Sequence, residues 1–334
     1  LGIQINQQLI ISSNAHIVTP IHKFIDQNNE IDEKDSIGTT CRGIGPAYAD
    51  KYNRIGIQAI ELLNQDKLKE KVLIRLDISI TKNEIHINQK EEVLKCIEFF
   101  FIAVDKIQKY IKDSHSIIQN NLDSNKNIVI EGAQGTLLDI DHGTYPYLTS
   151  SNASATGISS GLGFPAQKIQ ELVGIFKAYT TRVGKGPFPT ELFDEQGVQL
   201  HKIGNEFGAT TGRPRRCGWF DGVAAKYSVE LNGLTSVAIT KLDVLDTFDQ
   251  INVCIGYKAD GQTISHMSQV MHMLDKVTPI YKTFEGWKSD TTKIEKFDDF
   301  PLKTKNYINY LAKFLKVPIK LVSIGPKRKQ IVFM

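Results

Sequence analysis

Thr240-Lys-Leu-Asp243 puts a cation and a carboxylate directly after the apolar run Ser236-Val-Ala-Ile-Thr240. A carboxylate there can accept two hydrogen bonds from N1 and the exocyclic amine of guanine, while the lysine stem covers the purine face. Adenine has no matching donor pair, so these residues, with Leu242 between them, favour GTP over ATP. Four residues alone leave an equal alternative, a surface Lys and Asp capping a strand exit. Ser323-Ile324-Gly325-Pro326 follows the last apolar run and can offer its backbone to a base or ribose; by itself it is a turn.

A second group of residues suits anions. In Gly208-Ala209-Thr210-Thr211-Gly212-Arg213-Pro214-Arg215-Arg216-Cys217-Gly218, two hydroxyls precede three arginines between glycines. Guanidinium forks pair bidentately with carboxylates and phosphates, and glycines let a loop close on its ligand. An anion pocket is the stronger reading than a solvated basic loop. Thr39-Thr40-Cys41-Arg42-Gly43-Ile44-Gly45-Pro46, followed by Lys51 and Arg54, can cradle a phosphate through backbone amides; the bland reading is a polar loop. Gln134 beside a glycine turn suits the polar edge of a base, and Tyr147-Leu148-Thr149 adds a hydroxyl.

Other chemistries find no support. Gly184-Lys185-Gly186 lacks the upstream glycine and following hydroxyl of a GxxxxGK[ST] phosphate loop, and neither HExxH nor His/Cys metal spacing occurs. Asp139-Ile-Asp141-His142 reads as a helix-terminal charge group rather than a metal or acid/base cluster.

These residues need elements to hold them. Val93, Leu94, Ile97, Phe101, Val104, Ile107 and Ile111 recur at helical steps and predict one long amphipathic helix between Gln89 and Asn120. A shorter helix is expected around Leu62 to Leu76. Asn127 to Glu131 reads as a buried strand feeding the Gly132–Gly135 loop, and Leu172 to Ala178 repeats the device. Asp221 to Asn232 predicts a helix stopped by Gly233, Ser236 to Thr240 a strand, Tyr307 to Leu315 a helix broken by Pro318, and Ile319 to Val322 the last strand. Alternating helices and buried strands imply an α/β fold with a largely parallel central sheet, whose ligands sit beyond the strands' carboxyl ends.

Composition narrows the function. With 334 residues, 41% hydrophobic and 23% charged, the chain has an ordinary globular make-up. Forty Lys and Arg against 37 Asp and Glu give +3, too balanced for a duplex-binding face, so no nucleic-acid partner is expected. The longest apolar stretch, Phe99 to Val104, falls far short of the roughly 20 residues that span a bilayer, so no membrane role is expected. Cys41, Cys96, Cys217 and Cys254 lie far apart and read as reduced thiols, which together with the lack of a signal peptide implies a cytoplasmic location.

Taken together, Ile37 to Arg54, Glu131 to Pro146, Arg182 to Leu192, Gly204 to Gly212, Thr240 to Asp246 and Ser323 to Pro326 closely resemble the adenylosuccinate synthetase family, in the family's order. The resemblance implies a three-layer, P-loop-NTPase-like α/β fold in a single large domain over residues 1–334. It also implies GTP-dependent ligation of IMP and L-aspartate to adenylosuccinate, the first committed step from IMP to AMP. By resemblance, Thr40, Arg54, Gln134, Thr149, Val183 and Arg213 would bind IMP. Ala209, Thr210, Thr211, Gly212, Arg213 and Arg215 would bind aspartate. Arg215, Lys241, Leu242, Asp243, Ser323, Ile324, Gly325 and Pro326 would bind GTP. Gln134 and Lys51 are the catalytic candidates, and Arg54 would reach across a homodimer to the partner's IMP.

The family's reaction phosphorylates the 6-oxygen of IMP and then displaces that phosphate with the aspartate amine, with Mg²⁺ and GTP required. Its general base, histidine donor and GDEGKGK phosphate loop have no match here, and the chain starts at Leu1 rather than Met. The expectation is therefore an amino-terminally truncated fold with no metal ligands in this chain, the Mg²⁺ ligands lying in the missing segment, and a shortened chain that is inactive on its own. The alternative is a truncated, non-catalytic nucleotide-binding or dimerising form. Cys41 in place of a usual glycine, Pro214 within the arginine run and Lys327 after Ser-Ile-Gly-Pro are departures from the family pattern.

Overall fold

The computed structural model describes residues 8–31, 36–208 and 212–334. Their contacts divide into two compact units, one of Leu1–Gln134, Asp139–Asp141 and Leu148–Ala166, the other of Gly135–Leu138, His142–Tyr147 and Gln167–Met334.

The first unit is mainly helical: α1 (Pro20–Ile31), α2 (Ile44–Tyr52), α3 (Gln65–Thr81), α4 (Lys90–Ile107), α5 (Ser114–Asp123) and α6 (Thr156–Leu162). Asn64 caps α3 by accepting from the Lys67 amide. Ile21, Ile25, Leu68, Val72, Leu76, Val93, Ile97 and Val104 bury the apolar stripes of α1, α3 and α4 against one another. The long helix expected from Gln89 to Asn120 is in fact interrupted. After α4 the chain makes a short turn, and Ile111–Lys112 (β2) pairs in parallel with Ile11–Ser12 (β1). Asp113 then starts α5 by accepting from the His115 and Ser116 amides. The strand expected at 127–131 does not form either. Val129 is 93% exposed, and no ladder partner for the run exists among the described residues. Without paired backbone groups, β-branched side chains alone do not make a strand.

The second unit carries the sheet that matters here. Val173–Lys177 (β3) and Ser236–Thr240 (β7) are parallel neighbours. Ile319–Ser323 (β11) lies parallel on the other side of β7, and Ile331–Phe333 (β12) closes the order β12-β11-β7-β3 antiparallel to β11. The remaining strands are Thr180–Arg182 (β4), Arg216–Gly218 (β5), Phe220–Asp221 (β6), Gln250–Ala259 (β8), Gln262–Ile264 (β9) and Thr278–Glu285 (β10). β8 pairs antiparallel with β9 and β10 and parallel with β6. β3, β7 and β11 thus form the expected largely parallel sheet, and the second sheet is mixed. Its helices are α7 (Glu195–Gly204), α8 (Gly222–Asn232) and α9 (Leu302–Leu315).

α8 follows the sequence closely. The Asp221 side chain accepts from the Ala224 amide at its start, and Gly233, in the left-handed region at φ 62°, ends it. Tyr307, Ile308, Leu311 and Leu315 bury one face of α9 in the core that holds Val237, Ile239 and Val322 of the sheet. Cys217 and Cys254 are buried in this unit, whereas Cys41 and Cys96 in the first unit are half-buried.

Candidate functional site

β7 and β11 are adjacent and parallel, so the segments leaving their carboxyl ends emerge side by side. Lys241 takes a left-handed backbone, φ 59°, and turns the chain from β7 into a tight helical turn, Leu242–Leu245. Leu242, Val244 and Leu245 are buried and anchor that turn in the core. Asp243 is held between them. Its Oδ1 is buried with no hydrogen-bond partner among the described residues. Burial pushes the Asp243 carboxyl upward, partly opposed by Lys241. An acceptor in that condition suits a ligand that brings its own donors.

Beside it, the Ser323 hydroxyl donates to the Gly325 carbonyl at 3.1 Å, and the Ile324 amide donates to the Gln330 carbonyl at 3.0 Å. Gly325 lies against the Gln330 side chain, where an added Cβ would come within 2.4 Å of Oε1. Pro326 is exposed. Three residues after Asp243, Asp246 clasps the next segment. Its carboxylate accepts from Trp287 Nε1 at 2.7 Å and from the Thr291 amide at 2.8 Å.

Glu206, absent from the sequence expectations, gathers four side-chain donors. It is fully buried, and Oε2 accepts from Lys177 Nζ and Arg215 NH1, each at 2.8 Å. Oε1 accepts from Lys241 Nζ at 2.9 Å and from the Tyr179 hydroxyl. Burial raises its pKa, but the Lys177, Tyr179, Arg215 and Lys241 hydrogen bonds outweigh that and bring it down to about 2. Its backbone carbonyl also accepts from the Arg215 amide at 2.9 Å. A bridge between Phe207 and Pro214 and the Gly208 amide bonded to the Arg213 carbonyl at 2.8 Å close the base of the Thr-Arg loop. Pro214 therefore sits in that closure. Ala209, Thr210 and Thr211 lie outside the described residues; Gly212 and Arg213 are exposed.

The three arginines of this segment do not act alike. Arg216 forks onto Glu191, with Nε at 2.7 Å from Oε1, and its NH1 donates to the Gly184 and Gly186 carbonyls. Its donors are taken up inside the fold, which removes it from the anion pocket expected from the sequence. Arg182, at the end of β4, bonds the Thr144 hydroxyl and the Tyr147 and Lys185 carbonyls. Burial, with Arg216 close by, lowers its pKa to about 10. That bracing fixes the turn after it, where Val183 is 37% exposed.

The first unit holds the other expected residues. Its Thr39–Pro46 segment is tied to α1 by some of its donors. The Gly43 amide and the Thr39 hydroxyl donate to Asp26, and the Ile37 and Gly38 amides donate to Glu30. Asp26 and Glu30 of α1 thus hold the start of the segment and its Gly43 turn in place. Thr40 and Gln134 are exposed, Gln134 with φ 63°, and Thr149 is half-buried. Lys51 lies over the Tyr48 ring at 5.2 Å, and Arg54, φ 62°, is exposed at the end of α2. Asp139 directly follows the helical turn Thr136–Leu138, and it and Asp141 also brace a loop: buried Asp139 accepts from the Asp141 and Ser154 amides, and Asp141 from Asn152 Nδ2.

Mg²⁺ finds no fitting donor set here. No group of three or more His, Cys, Asp or Glu side chains able to hold a metal ion occurs among the described residues.

The family described as adenylosuccinate synthetase matches residues 1–332 of the chain. An adenylosuccinate synthetase from Thermodesulfovibrio yellowstonii is 44% identical over 333 residues, covering 99% of this chain and 78% of the relative. One from Pelodictyon phaeoclathratiforme is 45% identical over 338 residues, covering 100% and 77%. The solved structure of fully ligated adenylosuccinate synthetase from Plasmodium falciparum matches with a TM-score of 0.89 at 38% identity, covering 97% of this chain and 78% of that one.

Proposed function

We propose that this chain, which belongs to the adenylosuccinate synthetase family, joins IMP and L-aspartate at the expense of GTP, giving adenylosuccinate, GDP and phosphate. Membership makes it a ligase of AMP biosynthesis. The finer reading is that the 6-oxygen of IMP is first phosphorylated and the aspartate amine then displaces the phosphate. One observation carries the nucleotide choice: Asp243 keeps a buried oxygen with no hydrogen-bond partner among the described residues, beside Lys241 at the carboxyl end of a parallel strand. A guanine edge supplies donors to such an acceptor and an adenine edge does not.

In this reading Lys241 and Asp243 read guanine, with Leu242, Ser323, Ile324, Gly325 and Pro326 framing it. Arg213, Arg215, Gly212 and the segment Ala209, Thr210 and Thr211 take aspartate. Thr40, Gln134, Thr149, Val183 and Arg213 serve IMP, and Arg54 serves the IMP of a second copy in a homodimer. Lys51 and Gln134 support the chemistry. Mg²⁺, for which the described residues offer no donor group, would when bound neutralise charge on the transferring phosphoryl group. The enzyme works in the cytoplasm; no helix among the described residues is long and apolar enough to cross a membrane.

The test is adenylosuccinate formation by the purified chain given IMP, L-aspartate, GTP and Mg²⁺, with GTP and ATP binding titrated alongside. Product formation with GTP and preference for GTP over ATP are expected of the ligase. GTP binding without product would instead favour the nucleotide-binding, non-catalytic form, and equal affinity for the two nucleotides would refute the guanine assignment.

A further inference from the structure

We propose that Glu206 is a positioning residue that sets Lys241 and Arg215 as a pair, so that guanine recognition and the Thr-Arg loop depend on one buried carboxylate. This rests on the guanine and aspartate assignments proposed above. The geometry carries it. Oε1 takes Lys241 Nζ at 2.9 Å, and Oε2 takes Arg215 NH1 at 2.8 Å. Lys241 follows β7, whereas Arg215 precedes β5, so no shared element would otherwise fix the two cations.

Glu206 itself is doubly held. It follows Asn205, the left-handed cap of α7, and its amide donates to the His201 carbonyl at 3.0 Å. With the Arg215 amide on its own carbonyl, the residue stands at the base of the loop and cannot drift from it. The Lys241 ammonium is also anchored on the Gly204 carbonyl. Its stem is thereby stretched across one fixed path, which a lysine free to rotate would not hold.

The charges explain why a carboxylate is needed. Lys177, Arg215 and Lys241 bring three positive charges to one negative charge. Burial lowers the Lys177 pKa, Glu206 opposes that, and Arg215 and Lys241 lower it further. Tyr179, whose hydroxyl faces the same carboxylate, is pushed up by burial and by Glu206, and Cys217 is raised to about 11 by burial and Glu206. The groups facing Glu206 are therefore cationic or neutral. Removing its charge leaves like charges side by side, free to repel. The surplus of positive charge that remains in the intact cluster suits an anionic ligand.

The experiment measures GTP, ATP and IMP affinity for the full chain and for Glu206→Gln, Lys177→Met and Lys241→Ala. Glu206→Gln keeps the shape and loses the charge; GTP binding is expected to weaken by about tenfold, the scale of one charge-assisted hydrogen bond, with reduced preference over ATP and a smaller loss of IMP affinity through Arg213. Lys177→Met leaves the carboxylate with Lys241 and Arg215 and is expected to weaken GTP binding less than Glu206→Gln does; a loss as large as that of Glu206→Gln overturns the proposal. A folded Glu206→Gln protein with wild-type GTP affinity overturns the proposal, and so does one that loses IMP and GTP equally, which marks a general structural defect. Should Glu206→Gln not fold, Glu206→Asp replaces it: the shorter carboxylate keeps its charge but cannot reach all four donors, and unchanged GTP affinity again overturns the proposal. GTP binding by the wild-type chain that is lost in Lys241→Ala preserves the guanine reading whatever Glu206 does, so the two failures are distinguishable.

Discussion

Asp50→Asn should weaken the first unit through a single buried charge. Asp50 on α2 is 4% exposed and accepts from Arg75 Nε at 2.7 Å and Arg75 NH2 at 3.1 Å. His22 Nδ1 accepts from the Thr19 amide, which leaves Nε2 to donate to Asp50 at 3.1 Å. Burial pushes the Asp50 carboxyl up, but the His22 and Arg75 bonds outweigh it and bring the pKa from 3.8 to about 2. That difference corresponds to about 2.5 kcal/mol of folding free energy. Because the folded value is depressed, this contribution is complete above about pH 4 and fades as the pH falls towards 2. Asparagine keeps the size but leaves Arg75 with Glu84 as its carboxylate partner, so a loss of about 3 kcal/mol is expected at pH 7. Urea unfolding followed by far-ultraviolet circular dichroism measures it, since the first unit is mainly helical. Both tryptophans, Trp219 and Trp287, lie in the second unit, so fluorescence gives a separate record of that unit. The gap between wild type and variant should narrow on acidification from pH 4. An unchanged midpoint at pH 7, or a gap that stays constant down to low pH, would refute the account.

Three further outcomes are expected. Asp243→Asn turns one accepting oxygen into a clashing donor, so GTP affinity should fall by about 100-fold while ATP affinity changes little, as titration would show. Cys41→Gly should raise stability by about 1 kcal/mol in urea unfolding, because Cys41 holds φ 52°, where only glycine is unstrained. Trp287→Phe removes the donor to Asp246 and should lower stability by about 1–2 kcal/mol; a neutral result would show that Thr291 alone satisfies that carboxylate.

Local chemistry was the legible part of the sequence. Asp221 and Gly233 bound α8 by capping, and Ser236 to Thr240 and Ile319 to Ser323 are apolar runs that form the expected strands. What failed depended on distant partners. The Val93-to-Ile111 periodicity could not reveal that Ile111 pairs with Ile11, a contact made across the sequence. The run at 127–131 has strand-forming side chains and no ladder among the described residues. Asp260-Gly261, both at positive φ, joins β8 to β9 and is a strong local hairpin marker in the sequence. At the site, Lys241 and Asp243 were readable because their spacing follows one strand. Glu206 was not, since its meaning comes from Lys177 and Lys241, which lie 29 and 35 residues away.

The uneven burial of the four thiols gives the molecule a built-in chemical clock. Burial raises Cys217 to about 11 and drives Cys254 higher still, whereas Cys41 and Cys96 are partly open to solvent. An alkylating reagent at neutral pH reacts through the thiolate. It should therefore mark Cys41 and Cys96 quickly and reach the other two only when the second unit opens, so that mass spectrometry of labelled peptides times the opening of that unit residue by residue.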